Sequence, residues 1–83
     1  LTNNIFMNIN VRNITGIVVI DLEGNIDINA SDLIETVGNA IRNNAKNILC
    51  NFKNVNIVDY VGLSIIAVIY KNVFNHRARI KFC

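Results

Sequence analysis

The stretch Asn47-Ile48-Leu49-Cys50-Asn51-Phe52-Lys53-Asn54-Val55-Asn56-Ile57-Val58-Asp59-Tyr60-Val61-Gly62-Leu63 decides the fold. Asn47 to Phe52 reads as a strand. Lys53 to Asn56 and a short apolar step then lead to Asp59. From about Tyr60 to Asn75 the apolar residues recur at helical spacing. Asp59 therefore closes a strand and opens a helix. Past the helix, His76-Arg77-Ala78 turns the chain into Arg79-Ile80-Lys81-Phe82-Cys83, an alternating strand that completes a strand–helix–strand unit.

Upstream the period changes in the same orderly way. Ile5, Met7, Ile9 and Val11 alternate with Phe6, Asn8, Asn10 and Arg12, as in a half-buried strand. Asn13-Ile14-Thr15-Gly16 supplies turn chemistry. Ile17-Val18-Val19-Ile20 is an unbroken β-branched run, the pattern of a strand covered on both faces, ending at Asp21-Leu22-Glu23-Gly24. Ala30, Leu33, Ile34, Val37 and Ile41 then form one helical stripe, with Asn29 as the expected cap, Asp32 answering it, and fraying at Asn43-Asn44. The order β-β-α-β-α-β predicts an α/β domain with a mostly parallel four-stranded sheet. Parallel neighbours require right-handed crossovers, which pack both helices onto the sheet.

The second helix divides unevenly. Leu63, Ile66, Ala67, Ile69, Tyr70, Val73 and Phe74 make one broad apolar face for the sheet, while Ser64, Lys71 and Asn75 mark the wet face. Val61, Ile65 and Val68 fall beside the wet face. An apolar row there invites either a partner or a further segment of chain.

Composition narrows the function. The 83 residues are 52% hydrophobic and 17% charged, with mean hydropathy +0.36, which excludes disorder and fits a single domain over 1–83. A net charge of +2, and basic residues without interleaved aromatics apart from Phe82, exclude a nucleic-acid binder. Sixteen asparagines need no cause beyond a biased coding sequence. Cys50 and Cys83 are too few for a disulfide framework. His76 alone, without a Cys-x-x-Cys pair, makes no metal site. The first ten residues lack a signal-peptide pattern, and the apolar run from Ile57 to Tyr70 is too short to span a bilayer. A cytoplasmic protein with reduced thiols is expected, and the sequon Asn13-Ile14-Thr15 is then idle.

Candidate chemistry centres on Asp59. It reads as a helix cap, or as a carboxylate at the carboxyl end of a parallel strand, where α/β sheets place ligands. Gly62 beside it allows a phosphate to approach the helix N-terminus. Asp21, Glu23, Asp27 and Asp59 do not converge as a magnesium site requires. Asp21 and Glu23 share a strand face, whereas Asp27 lies beyond Gly24. His76 stands a helix length from Asp59, no Gly-rich phosphate loop occurs, and no catalytic residues or cofactor are expected.

Two segments together carry a family likeness. Val19 to Asp27, followed by Asn29-Ala30 and Leu33, resembles the strand, Gly-x-Ile/Leu-Asp, helix opening of STAS domains. Val58-Asp59-Tyr60-Val61-Gly62-Leu63 falls where that family has Asp-Ser-Ser/Thr-Gly-Leu. The family includes bacterial anti-sigma factor antagonists and the cytoplasmic domains of sulfate transporters. The resemblance implies a non-enzymatic, cytoplasmic signalling module, in transcription regulation or in a sensor scaffold. Its implied partner is an anti-sigma factor with serine-kinase activity, or another STAS-binding protein, met through Asp27, Ile28, Asn29, Asp59, Tyr60, Val61, Ile65 and Val68. Phosphorylation of a hydroxyl in the turn would end such binding by adding about −1.5 to −2 charges beside an aspartate. Here both hydroxyl positions are replaced, by Tyr60 and Val61, so no phosphorylation is expected at this turn. STAS domains also continue past the fourth strand into another helix. A chain stopping at Cys83 is either a trimmed piece or a short form that pairs with a second copy as a homodimer. The other readings are a small-ligand or lipid-handling STAS-type domain and a truncated phospho-receiver using Asp59.

Overall fold

A computed structural model describes residues 7–83. Strands β1 (Asn8–Ile14) and β2 (Ile17–Ile26) form a hairpin, followed by a 3-10 turn at Ile28–Ala30 and helix α1 (Asp32–Arg42). Strand β3 (Asn47–Val58), helix α2 (Tyr60–Asn75) and strand β4 (Arg79–Phe82) complete the chain. The sheet order is β1-β2-β3-β4, antiparallel between β1 and β2 and parallel thereafter. The expected architecture and element order are thus present. Ile5 and Phe6 of the expected first strand lie outside the described residues.

The hairpin closes on two residues. Ile14 pairs with Ile17, and Thr15 and Gly16 both take positive φ, 51° and 85°. That is the turn whose twist matches the twist of the strands. Each helix ends in the same way, on a left-handed residue that lets the chain fold back. After α1, Asn44 takes φ 68° and the Ala45 amide donates to the Ala40 carbonyl. After α2, Arg77 takes φ 59° and the Ala78 amide donates to the Val73 carbonyl. Both are Schellman ends, and they aim β3 and β4 back along the sheet.

Both helices cover one face of the sheet. Ile20, Leu22, Ile48 and Cys50 from the strands meet Leu33 and Val37 of α1 and Ile65, Ile69 and Val73 of α2 in a single core. Burying each large aliphatic side chain there contributes about 1.5–3 kcal/mol. Phe52 and Phe82 meet edge to face at the border of this core, with ring centroids 5.6 Å apart. Among the described residues no helix covers the other face. The expectation that Ile17 to Ile20 is covered on both sides therefore fails at Ile17, which is exposed.

Three further expectations are corrected. Both central strands run longer than their apolar runs, β2 to Ile26 and β3 to Val58, because the two keep pairing through register shifts between Asp21 and Glu23 and between Gly24 and Asn25. Asn29 caps no helix: it lies inside the 3-10 turn, Asp27 caps that turn, and Ser31 precedes α1 without a side-chain bond. The buried stripe of α2 is Gly62, Ile65, Ile69 and Val73, whereas Leu63, Tyr70 and Phe74 are exposed. The helix is apolar nearly all round, so periodicity alone left its rotation open by about a third of a turn.

Candidate functional site

The ends of β2 and β3 bring together the two segments singled out above. Ile26 pairs with Val58, so Asp27 and Asp59 leave neighbouring strands side by side. The Asp59 amide donates to the Ile26 carbonyl at 3.2 Å, which ties the two exits together. Each carboxylate then shapes its own turn. Asp27 Oδ1 accepts from the Asn29 amide at 2.9 Å, and Asp59 Oδ1 accepts from the Gly62 amide at 2.8 Å. Asp59 is the cap of α2, as its position in the sequence required.

Gly62 sets how closely α2 approaches β2. A Cβ at this position would stand 1.7 Å from the Ile26 carbonyl oxygen. With the helix start held that close, Tyr60 and Val61 are forced outward. Tyr60 is 90% exposed and Val61 is half exposed. Ile28, 71% exposed, stands on the adjoining turn, and Val68 is half exposed further along α2. Ile65 does not join them. It is 7% exposed within the core, so the expectation that it faces a partner is wrong. Six of the eight expected residues (Asp27, Ile28, Asn29, Asp59, Tyr60 and Val61) thus lie on or beside one end of the sheet, and Val68 lies two turns further along α2.

Ile57 and Val58, the exposed last residues of β3, belong to the same apolar tip and were not singled out from the sequence. Their signal was present in the apolar step before Asp59. It reads as tip rather than core only once β3 is known to reach Val58. Ser64, the nearest hydroxyl after the turn, donates within α2 to the Tyr60 carbonyl at 3.1 Å. Asp21 and Glu23 share a sheet face, as expected, but on the side away from the helices. There Asp21 binds Arg12 and Asn51 rather than Asp27 or Asp59. Among the described residues no three metal-ligating side chains cluster, and no helix is long and apolar enough to cross a membrane. His76 closes α2 at its far end and donates from Nδ1 to the Asn72 carbonyl.

A shallow groove of about 720 Å³ runs between α2 and β4, walled by Tyr70, Val73, Phe74 and Ile80. It is remote from the Asp27–Asp59 junction.

A sheet of this order, with a capped helix start pressed against the exit of β2, is the arrangement of a small α/β domain family. The sequence model for the STAS domain matches residues 8–83, and the chain belongs to that family. Among curated proteins none matches the sequence. Solved structures with the same fold include an anti-sigma factor antagonist from Mycobacterium paratuberculosis, with TM-score 0.81 and 20% identity over 99% of this chain and 70% of that one. The unphosphorylated anti-sigma factor antagonist SpoIIAA superposes with TM-score 0.70 and 23% identity over 90% of this chain and 71% of that one. A structure of Mglu superposes with TM-score 0.77 and 19% identity over 87% of this chain, which spans only 18% of that longer protein.

Proposed function

We propose that this STAS domain is a non-enzymatic docking module whose contact surface is the tip formed by Asp27, Ile28, Asn29, Asp59, Tyr60 and Val61, continued along α2 by Val68. Its partner is an anti-sigma factor with serine-kinase activity, or another STAS-binding protein of bacterial signalling. The observation that carries this reading is the outward placement of Tyr60 and Val61 directly beside the Asp27 turn. An exposed aromatic next to β-branched and aliphatic neighbours is the composition of an interface anchor rather than of a reaction centre. Both carboxylates at the tip are already engaged in holding their turns, which speaks for a structural role.

The two turn positions also lack the serine or threonine hydroxyl that a serine kinase would modify, the Tyr60 phenol not being an ordinary substrate for such a kinase. Tyr60 and Val61 occupy the two positions between Asp59 and Gly62, and Ser64 Oγ is bonded to the helix backbone. The module is therefore read as permanently competent to bind.

The test pairs purified chain with anti-sigma factor kinases in a surface-immobilised binding assay, followed by mass spectrometry after incubation with ATP. Binding that is lost in Tyr60→Ala and Val61→Asp, with no phosphate added to the wild type, is the expected result. Absence of binding by the wild type, or inert tip substitutions, would overturn the reading.

A further inference from the structure

The sheet face away from the helices carries a pattern that the tip does not use. Strand register places Arg12 beside Val19, Val19 beside Leu49, and Leu49 beside Lys81. Two apolar side chains thus lie between two cations in one row across the sheet, Val19 buried and Leu49 half-buried, with Arg12 held by Asp21 and Lys81 exposed. Toward the hairpin turn both themes continue: Ile14 pairs with Ile17, and Arg79 pairs with Asn47. Ile14 and Ile17 are exposed. Between the start of β2 and β4 the surface sinks into a depression of about 580 Å³, walled by Ile17, Leu49, Arg79 and Lys81 and lined by no acidic side chain.

The charges on this face do not cancel locally. Its acids sit at the other end, where Asp21 is held by Arg12 and Asn51, and Glu23 lies beyond it. Arg12–Asp21 is the one ion pair among the described residues, which leaves Arg79 and Lys81 facing solvent unneutralised. The patch lies at the starts of the parallel strands, whereas the Tyr60–Val61 tip lies at their ends, so the two surfaces are separate.

We propose that this half of the open face docks an acidic amphipathic helix of a partner protein. The helix would set its apolar edge on Ile14, Ile17 and Leu49 and its carboxylates against Arg79 and Lys81. An apolar strip on a sheet is completed by another layer, commonly a helix. Glutamates one helical turn apart have Cβ atoms about 5–6 Å from each other. That nearly matches the roughly 6.6 Å between alternate residues of a strand such as Arg79 and Lys81. An anionic bilayer is the poorer occupant. Electrostatic attachment to one takes a cluster of about four to eight basic residues, and the patch is concave.

The test titrates the isotope-labelled 83-residue chain with a helical peptide bearing one leucine edge flanked by glutamates. A lysine-flanked isomer and anionic phospholipid vesicles form the other arms. The expected result is amide shifts at Ile14, Ile17, Leu49, Arg79 and Lys81 with the glutamate peptide alone, weakening as salt is added. The double variant Arg79→Glu, Lys81→Glu alters only exposed side chains and is expected to weaken that binding at least about tenfold. Tyr60→Ala is expected to leave it unchanged. Equal binding of both peptides, shifts confined to the Tyr60–Val61 tip or to α2, or vesicle binding abolished by the same double variant would overturn the proposal.

Discussion

The carbonyl oxygen of Ile26 fills the space that any side chain at position 62 would need, 1.7 Å from where a Cβ on Gly62 would stand. The same carbonyl accepts the Asp59 amide, so β2 cannot retreat without breaking the bond that joins the two strand exits. Gly62→Ala is expected to cost roughly 3 kcal/mol or more, the upper range for overpacking against rigid backbone. Urea denaturation of the variant beside the wild type measures it.

Asp59 holds the first turn of α2 through the Gly62 amide. Asp59→Ala is expected to lose about 1 kcal/mol, as cap removal generally does, and Asp59→Asn to lose far less because its side-chain oxygen still accepts. Thermal melts of the two variants separate capping from charge. If Asn proves as damaging as Ala, the carboxylate has a role beyond the cap.

Asp21 titrates low, at about 2, because Arg12 donates to its carboxylate and Asn51 adds a second hydrogen bond. A folded value below the unfolded one stabilises the protein above the ordinary carboxylate range. That contribution drains away as the pH falls toward about 2. Arg12→Ala is expected to raise the Asp21 value markedly and Asn51→Ala to raise it less. A carboxyl-carbon NMR titration reads both, and the acid-unfolding midpoint of each variant should move to higher pH.

Thr15 adopts φ 51° in the hairpin turn, a conformation that a β-branched residue enters at a cost. Asparagine tolerates it and suits the first position of this turn when glycine follows. Thr15→Asn is expected to stabilise the fold by about 1 kcal/mol, read as a rise in the midpoint of thermal unfolding.

Cys50 is fully buried, and that burial, with Cys83 nearby, pushes its thiol up to about 12. Cys83 is exposed. A thiol-disulfide reagent is expected to modify one cysteine per folded chain at neutral pH and both on unfolding, since the thiolate is the reactive form. Peptide mapping should find the first label on Cys83.

The element order and the two turn motifs were legible because each rests on local chemistry: alternation, a helical stripe, an aspartate at a strand exit and a glycine three residues on. The rotation of α2 was not. Leu63, Ile65, Tyr70 and Phe74 are all apolar, and only the Gly62 contact with β2 selects Ile65 for the core and leaves Phe74 outside. The strand ends were hidden for a related reason. Glu23 to Ile26 is broken by Gly24 and Asn25, and the alternation of Asn54 to Ile57 is set off from the earlier strand by the polar pair Lys53-Asn54; the two stretches pair because two register shifts absorb the mismatch. The role of Asn29 was misplaced because Asp27, two residues earlier, takes the capping position for its own short turn.

β3 has 12 residues and β4 only four, and their pairing stops at Cys50 with Phe82, apart from the Phe52 amide reaching Cys83. Among the described residues, β3 from Lys53 onward therefore pairs with β2 alone, and an unpaired strand border is a template for another strand, of the same chain or of a neighbouring molecule. Its composition resists that. Lys53 and the amides of Asn54 and Asn56 interrupt the apolar residues and keep the border hydrated. Replacing Lys53, Asn54 and Asn56 with valine removes the charge and the amides from this border and is expected to raise its tendency to pair with neighbouring molecules, read as a rise in thioflavin-binding aggregate.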